Sequence, residues 1–109
     1  MAADKVRTDG CVSMLKALAD ENRWRIVQAL LKKPMTVGEI CDFLDLSQYN
    51  VSKHLRILRE AGIVVAEKDG KYVQCDVAPR FRERLARNRH VLDLGCCTFR
   101  FDRSPGTLQ

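Results

Sequence analysis

The sequence predicts a mainly α domain carrying a small β-hairpin, and three observations predict it. Apolar residues recur at helical spacing in successive segments, each opened or stopped by a capping residue, a glycine or a proline. Two β-rich runs, Ile63-Val64-Val65-Ala66-Glu67 and Tyr72-Val73-Gln74-Cys75-Asp76-Val77, flank a turn at Lys68-Asp69-Gly70-Lys71, and Asp-Gly between such runs is a strong hairpin signal. The length of 109 residues, 46% apolar and 30% charged, suits one globular domain rather than a disordered tail.

Along the chain, Cys11, Leu15 and Leu18, with Met14 beside them, give an amphipathic helix over about residues 9–19, entered through Asp9. Asp20 caps a second helix, in which Trp24, Val27, Leu30 and Leu31 keep helical spacing until Pro34 stops it. Thr36 caps a short third helix with an inner stripe of Val37, Ile40, Cys41 and Leu44. Ser47 opens the fourth, whose core face is Val51, Leu55 and Leu58 and which Gly62 ends. Val73, Cys75 and Val77 alternate toward one face of the hairpin. After Pro79, the residues Phe81, Leu85, His90, Val91 and Leu94 predict a last helix ending near Gly95. The expected organisation is one domain over 1–97, with 98–109 a partly disordered tail.

Charge and cysteine content narrow the partners. Nineteen Lys and Arg against fourteen Asp and Glu leave +5, which points to an acidic partner, most commonly nucleic acid. The five cysteines are an odd number without any CxxC, which argues against a disulfide framework or a zinc ribbon and for reduced thiols. No run approaches the roughly 18 apolar residues of a membrane span, and the start Met1-Ala2-Ala3-Asp4-Lys5 lacks the pattern of a secretory signal, so a cytoplasmic location without a membrane partner is expected. A domain this small buries only about two-thirds of its unfolded surface, so a second subunit would help its stability.

Two short helices joined by Asp45-Leu46 and followed by a hairpin describe a winged helix-turn-helix: five helices plus a two-stranded antiparallel wing. A helix fits the major groove of B-DNA, its N-terminal residues reach base edges, and the preceding helix fixes its angle. The recognition helix runs from Ser47 to Ala61, and its first turns offer Gln48, Tyr49, Asn50, Ser52 and Lys53 for base hydrogen bonds, with Ser47 at its start a further expected DNA contact. Arg56 and Arg59 are placed for phosphates, and Lys68 and Lys71 at the wing tip for the adjacent backbone or minor groove. His54 is either a phosphate contact or a partly buried packing residue. The alternative for the whole set is an ordinary solvated helix face. Arg80, Arg82, Arg84, Arg87 and Arg89 are read as a source of long-range attraction to DNA.

The stretches Leu15-Lys16-Ala17-Leu18-Ala19-Asp20-Glu21-Asn22-Arg23, Leu46-Ser47-Gln48-Tyr49-Asn50-Val51-Ser52-Lys53-His54-Leu55 and Leu58-Arg59-Glu60-Ala61-Gly62-Ile63-Val64 resemble the ArsR/SmtB family of bacterial metalloregulators over roughly residues 10–95. The resemblance implies a homodimeric repressor whose first and last helices pair across the two-fold axis and whose hold on DNA falls when an inducer binds. Two recognition helices about 34 Å apart read a palindromic operator that one cannot.

The resemblance leaves the inducer open. Where well-known arsenic sensors carry Cys-Val-Cys at the start of the third helix, this chain has Thr36-Val37-Gly38, which cannot bind a soft ion. The Asp and His pairs of zinc and nickel sensors reduce here to His90 and Asp93, too few for a four-ligand set. Gly95-Cys96-Cys97 remains. Adjacent thiols suit a soft centre such as As(III), inorganic or methylated, or Sb(III). Neighbouring side chains of a helix diverge by about 100°, so the pair converges only if the chain unwinds, which Gly95 eases. The pair resembles the C-terminal vicinal-cysteine site of some arsenic-responsive members of the family. Cys11, of the same or the other subunit, is the first choice of third ligand, because the first and last helices meet in this fold, with packing as its alternative. No permanently bound cofactor is expected. Cys41 and Cys75 lie on inward stripes and read as packing residues.

Other readings are weaker or differ only in the signal. Val91-Leu92-Asp93-Leu94-Gly95 resembles the first glycine motif of methyltransferases, but only twelve residues follow Cys97, far short of the α/β domain that motif serves. No motif places a catalytic set, so no enzyme is expected. The same fold with a thiol-based redox or reactive-sulfur sensor is the nearest rival, and a protein-interaction module is the third class.

Overall fold

The computed structural model describes residues 2–84 and 91–100, with side chains placed over 10–81 and 92–100. Helix α1 (Ala2–Leu18) leads into α2 (Glu21–Lys32), then a short strand β1 (Met35–Thr36), α3 (Val37–Leu44) and α4 (Gln48–Glu60). The hairpin β2 (Val64–Asp69) and β3 (Tyr72–Val77) follows, then α5 (Pro79–Arg84) and a second hairpin of β4 (Val91–Asp93) and β5 (Thr98–Arg100).

Local chemistry sets most of these boundaries. Asp20 accepts from the N–H groups of Asn22 and Arg23 and so satisfies two of the free donors that open α2. Thr36 and Glu39 form a reciprocal capping box at α3, with Glu39 N–H to Thr36 Oγ1 at 3.1 Å and Thr36 N–H to Glu39 Oε1 at 2.8 Å. The turn into the recognition helix places Asp45 at φ +56, a left-handed conformation that the short Asp side chain tolerates. At the far end of α4, Gly62 takes φ +83 while the N–H of Ile63 bonds the carbonyl of Leu58 and that of Gly62 bonds Arg59. This pair of bonds is the glycine-terminated helix end that the sequence signals.

The core is a single apolar cluster between the helices and the wing, in which Ile26, Leu30, Leu31, Ile40, Val51, Leu58, Ile63 and Cys75 are fully buried. On α1 the buried face is Cys11, Met14, Ala17 and Leu18, whereas Leu15, expected on that stripe, is 38% exposed. The face runs through Met14 rather than Leu15, because Cys11, Met14 and Leu18 at i, i+3 and i+7 already complete a helical stripe. Val73 shares the face of Cys75 and Val77 but is 37% exposed near the wing tip, where they are buried.

Three expectations need correction. The wing is not two-stranded: β1 pairs antiparallel with β3, Met35 opposite Cys75 and Thr36 opposite Gln74, giving a three-stranded sheet in the order β1-β3-β2. The last helix does not run to Gly95. Helix α5 is described over Pro79–Arg84, residues 85–90 lie outside the described residues, and Val91–Asp93 is a strand paired with Thr98–Arg100. An expected pairing of subunits through a long last helix therefore loses that helix's final turns. The boundary expected after Cys97 falls inside this hairpin, and Phe99 beyond it meets Trp24 edge-to-face at 5.5 Å between ring centroids.

Candidate DNA interface and thiol cluster

Helix α4 sorts its side chains cleanly. Val51, Leu55 and Leu58 are buried, while Gln48, Tyr49, Asn50, Ser52, Lys53, Arg56 and Arg59 are exposed. An apolar stripe at i, i+4 and i+7 fixes the helix on the core, so the polar residues of its first turns project together. Ser47 is engaged rather than free, its Oγ accepting from the N–H of Asn50 at 3.2 Å as the N-cap. Arg56 faces Glu60 at 3.4 Å one turn on, both largely exposed, a pair of small energetic weight.

His54, included among the expected DNA contacts, is placed otherwise. It is half-buried, with Nδ1 3.3 Å from Arg23 Nη1, so its ring joins two helices instead of standing on the exposed face. The wing lies beside the helix, and a cavity of about 310 Å³ between them is lined by Gln48, Ser52, Arg59, Lys71 and Tyr72 among others. Lys68 is exposed on β2 opposite Val73, and Lys71 sits in the two-residue turn, where Gly70 takes φ +64. Cations on helix and wing thus border one groove, an arrangement suited to phosphates on either side of a base-reading helix.

The second constellation is sulfur. Ligand atoms of Cys11, Cys96 and Cys97 all lie within 4.8 Å of one another, the one such grouping among the described residues. Cys11 is buried, Cys97 half-buried and Cys96 exposed. The sulfurs of Cys11 and Cys96 are in contact, with Cα atoms 6.5 Å apart, and Cys97 Sγ lies 3.7 Å from Cys96 Sγ. Thr36 and Gly38 bring no sulfur to the start of α3: Thr36 caps the helix and Gly38 is exposed.

The local chain explains the convergence. Asp93 Oδ1 accepts from the N–H of Gly95 at 2.8 Å, Gly95 takes φ +94, and the N–H of Leu94 bonds the carbonyl of Cys97 at 2.9 Å. The cysteines therefore occupy a tight hairpin turn, where adjacent side chains can face one centre as they cannot in a helix. Cys75 is different in kind. It is fully buried, and burial pushes its thiol up despite the charge of Arg59, which leaves it protonated and inert. Cys41 is half-buried against the core. Arg82 and Arg84 have no described side chains, and Arg87, Arg89 and His90 lie outside the described residues.

A helix-turn-helix whose second helix exposes a polar face beside a basic β-wing defines a winged helix-turn-helix DNA-binding protein. The profile described as "Bacterial regulatory protein, arsR family" matches residues 20–65. Over 69 residues the chain is 39% identical to the arsenical resistance operon repressor of Escherichia coli (strain K12), covering 62% of this chain and 59% of that protein. It is 33% identical over 104 residues to a probable mercury resistance operon repressor of Streptomyces lividans, covering 90% of this chain and 80% of that one. The structure of reduced HlyU from Vibrio cholerae N16961 superposes with a TM-score of 0.65 at 32% identity, over 80% of this chain and 96% of that chain. The chain belongs to the arsR family of bacterial transcriptional regulators. No helix of the described residues is long and apolar enough to cross a membrane.

Proposed function

We propose that the chain is a transcriptional repressor that leaves its operator when a thiophilic metalloid, As(III) or Sb(III), binds Cys11, Cys96 and Cys97. The observation that carries this reading is the meeting of three sulfurs within 4.8 Å on a DNA-binding fold. Thiolates select soft ions, and three of them match the three bonds of trivalent arsenic. In the reduced protein the exchange balances: As(OH)3 and three thiols give three As–S bonds and three waters. Support also comes from the similarity to an arsenical and a mercury resistance operon repressor.

Gln48, Tyr49, Asn50, Ser52 and Lys53 are proposed to read bases, and Arg56, Lys68 and Lys71 to hold phosphates. The reader is proposed to be a homodimer on a palindrome. Val12 and Leu15 stand 42% and 38% exposed on one side of α1, an apolar surface that a second copy of α1 would cover.

Titrating the thiol-reduced protein with arsenite tests the reading: a thiolate-to-arsenic charge-transfer band is expected at one equivalent per chain, with release from DNA taken from upstream of its own gene. Cys96→Ser and Cys97→Ser are expected to abolish release while leaving operator binding nearly intact. Absence of the band, or mutants that no longer bind DNA at all, overturns the proposal.

The approach of the Cys11 and Cys96 sulfurs suits a second reading, in which oxidation is the signal. Two thiols give two electrons and two protons to a peroxide, which leaves as water. Release of DNA by peroxide, with no response to arsenite by the reduced protein, selects this reading over the first.

A further inference from the structure

Arg80, the second residue of α5, stands in the wall of a cavity of about 460 Å³ that also touches Cys11, Met14, Ala61, Leu94 and Cys96. Its Nη2 donates to the carbonyl of Gly62 at 3.2 Å and lies 3.8 Å from Met14 Sδ. The guanidinium carbon is 4.7 Å from the centroid of the Phe81 ring, and Phe81 is buried. Gly62 ends the recognition helix, so the cation sits at the carbonyl end of α4, where the helix dipole favours it. Met14 follows Cys11 by one turn on the buried face of α1. A single side chain therefore touches the helix that carries Cys11, the cavity beside the sulfurs, and the end of the helix that faces DNA.

We infer that Arg80 is the positioning residue through which the state of the three sulfurs reaches the recognition helix. The inference rests on the function proposed above. Replacing the contact between Cys11 and Cys96 by three bonds to a metalloid shifts α1 against the β4–β5 turn. Met14 travels with Cys11 because both lie on one face of one helix. The guanidinium, held between Met14 and the Phe81 ring, moves with them and loses the Gly62 carbonyl. Because Arg80 is exposed, water replaces that bond at little cost, which makes the contact exchangeable rather than permanent. Helix α4 then loses the cation at its carbonyl end and changes its tilt in the groove.

The test compares wild type, Arg80→Met and Arg80→Lys as full-length chains. Methionine keeps an apolar stem against Phe81 and Met14 but cannot donate; lysine keeps a cation and a donor. For each, affinity for DNA from upstream of the gene is measured reduced, with arsenite, and after diamide oxidation, together with the arsenic–thiolate band and the melting temperature. Wild type is expected to lose at least about tenfold in affinity with one trigger, within the usual range of allosteric coupling. Arg80→Met is expected to bind arsenite with an unchanged band and an unchanged melting temperature, yet to show a ratio under about twofold, and Arg80→Lys to recover part of the response. A full response in Arg80→Met overturns the inference while leaving the proposed function standing. A wild type that responds to neither trigger overturns the proposed function, and the role of Arg80 with it.

Discussion

Arg23 on α2 places Nη1 3.3 Å from Nδ1 of His54 on the recognition helix. The same guanidinium donates through Nε to the carbonyl of Ala17 at 2.6 Å and lies 3.9 Å from Asp20 Oδ2. One side chain thus ties the end of α1, the cap of α2 and the middle of α4 together. Arg23→Ala and His54→Ala are each expected to destabilise the fold by about 1.5 kcal/mol, the scale of a hydrogen bond to a charged group. In urea denaturation the double mutant should lose less than the sum of the two single losses, and strict additivity would show that the contact carries no energy.

Asp20 predicts an acid limb to stability. Burial raises its carboxyl pKa, but the N–H of Arg23, the Arg23 charge, His54 and the N–H of Asn22 together outweigh burial and leave it below the ordinary 3.8. A group whose pKa is lowered by folding stabilises the fold above its unfolded value, and that contribution disappears as the pH falls through the folded value. Asp20→Ala should cost about 1 kcal/mol at neutral pH, as loss of an N-cap does. Thermal melts should show the gap between mutant and wild type closing below about pH 4; a constant gap down to the acid transition would rule out this origin.

Base reading by α4 is tested one residue at a time. Gln48→Ala or Lys53→Ala is expected to cost about 1–3 kcal/mol of specific affinity where the side chain makes a bidentate base contact. Lys71→Ala at the wing should instead weaken operator and random DNA alike and make the salt dependence shallower. Binding isotherms on both DNAs at several salt concentrations separate the two behaviours, and unchanged discrimination in Gln48→Ala would remove that residue from the readout.

Trp24, the sole tryptophan of the chain, touches Phe99 of β5. Edge-to-face aromatic pairs contribute about 0.5–1.5 kcal/mol beyond burial, so Phe99→Ala should loosen the hairpin that presents Cys96 and Cys97. Arsenite added to reduced wild-type protein is expected to change the fluorescence of Trp24, and Phe99→Ala to diminish the change. An identical spectral response in both proteins would show that the pair does not report on the hairpin.

Where the chain writes its own boundaries, the sequence could be read directly. Asp20, Thr36 with Glu39, Ser47 and Gly62 each act within a few residues of themselves, and each sits where its capping chemistry predicts. Strand β1 escaped such reading because two residues have no periodicity, and Met35–Thr36 becomes a strand only through Cys75 and Gln74 far along the chain. The run Val91-Leu92-Asp93-Leu94 is equally apolar as helix or strand, a known ambiguity of short segments. Asp93 followed two residues later by Gly95 was the available sign of a turn, and β-prone Thr98 and Phe99 were its sequel. Arg80 was hidden among similar arginines, since its partners are a carbonyl eighteen residues back and a sulfur sixty-six residues back.

The hydrogen bonds between Met35–Thr36 and Cys75–Gln74 fasten the wing to the start of α3. The wing is thereby joined to the helix-turn-helix through its first helix. A motion that turns α3 against a duplex therefore carries the wing's lysines with it.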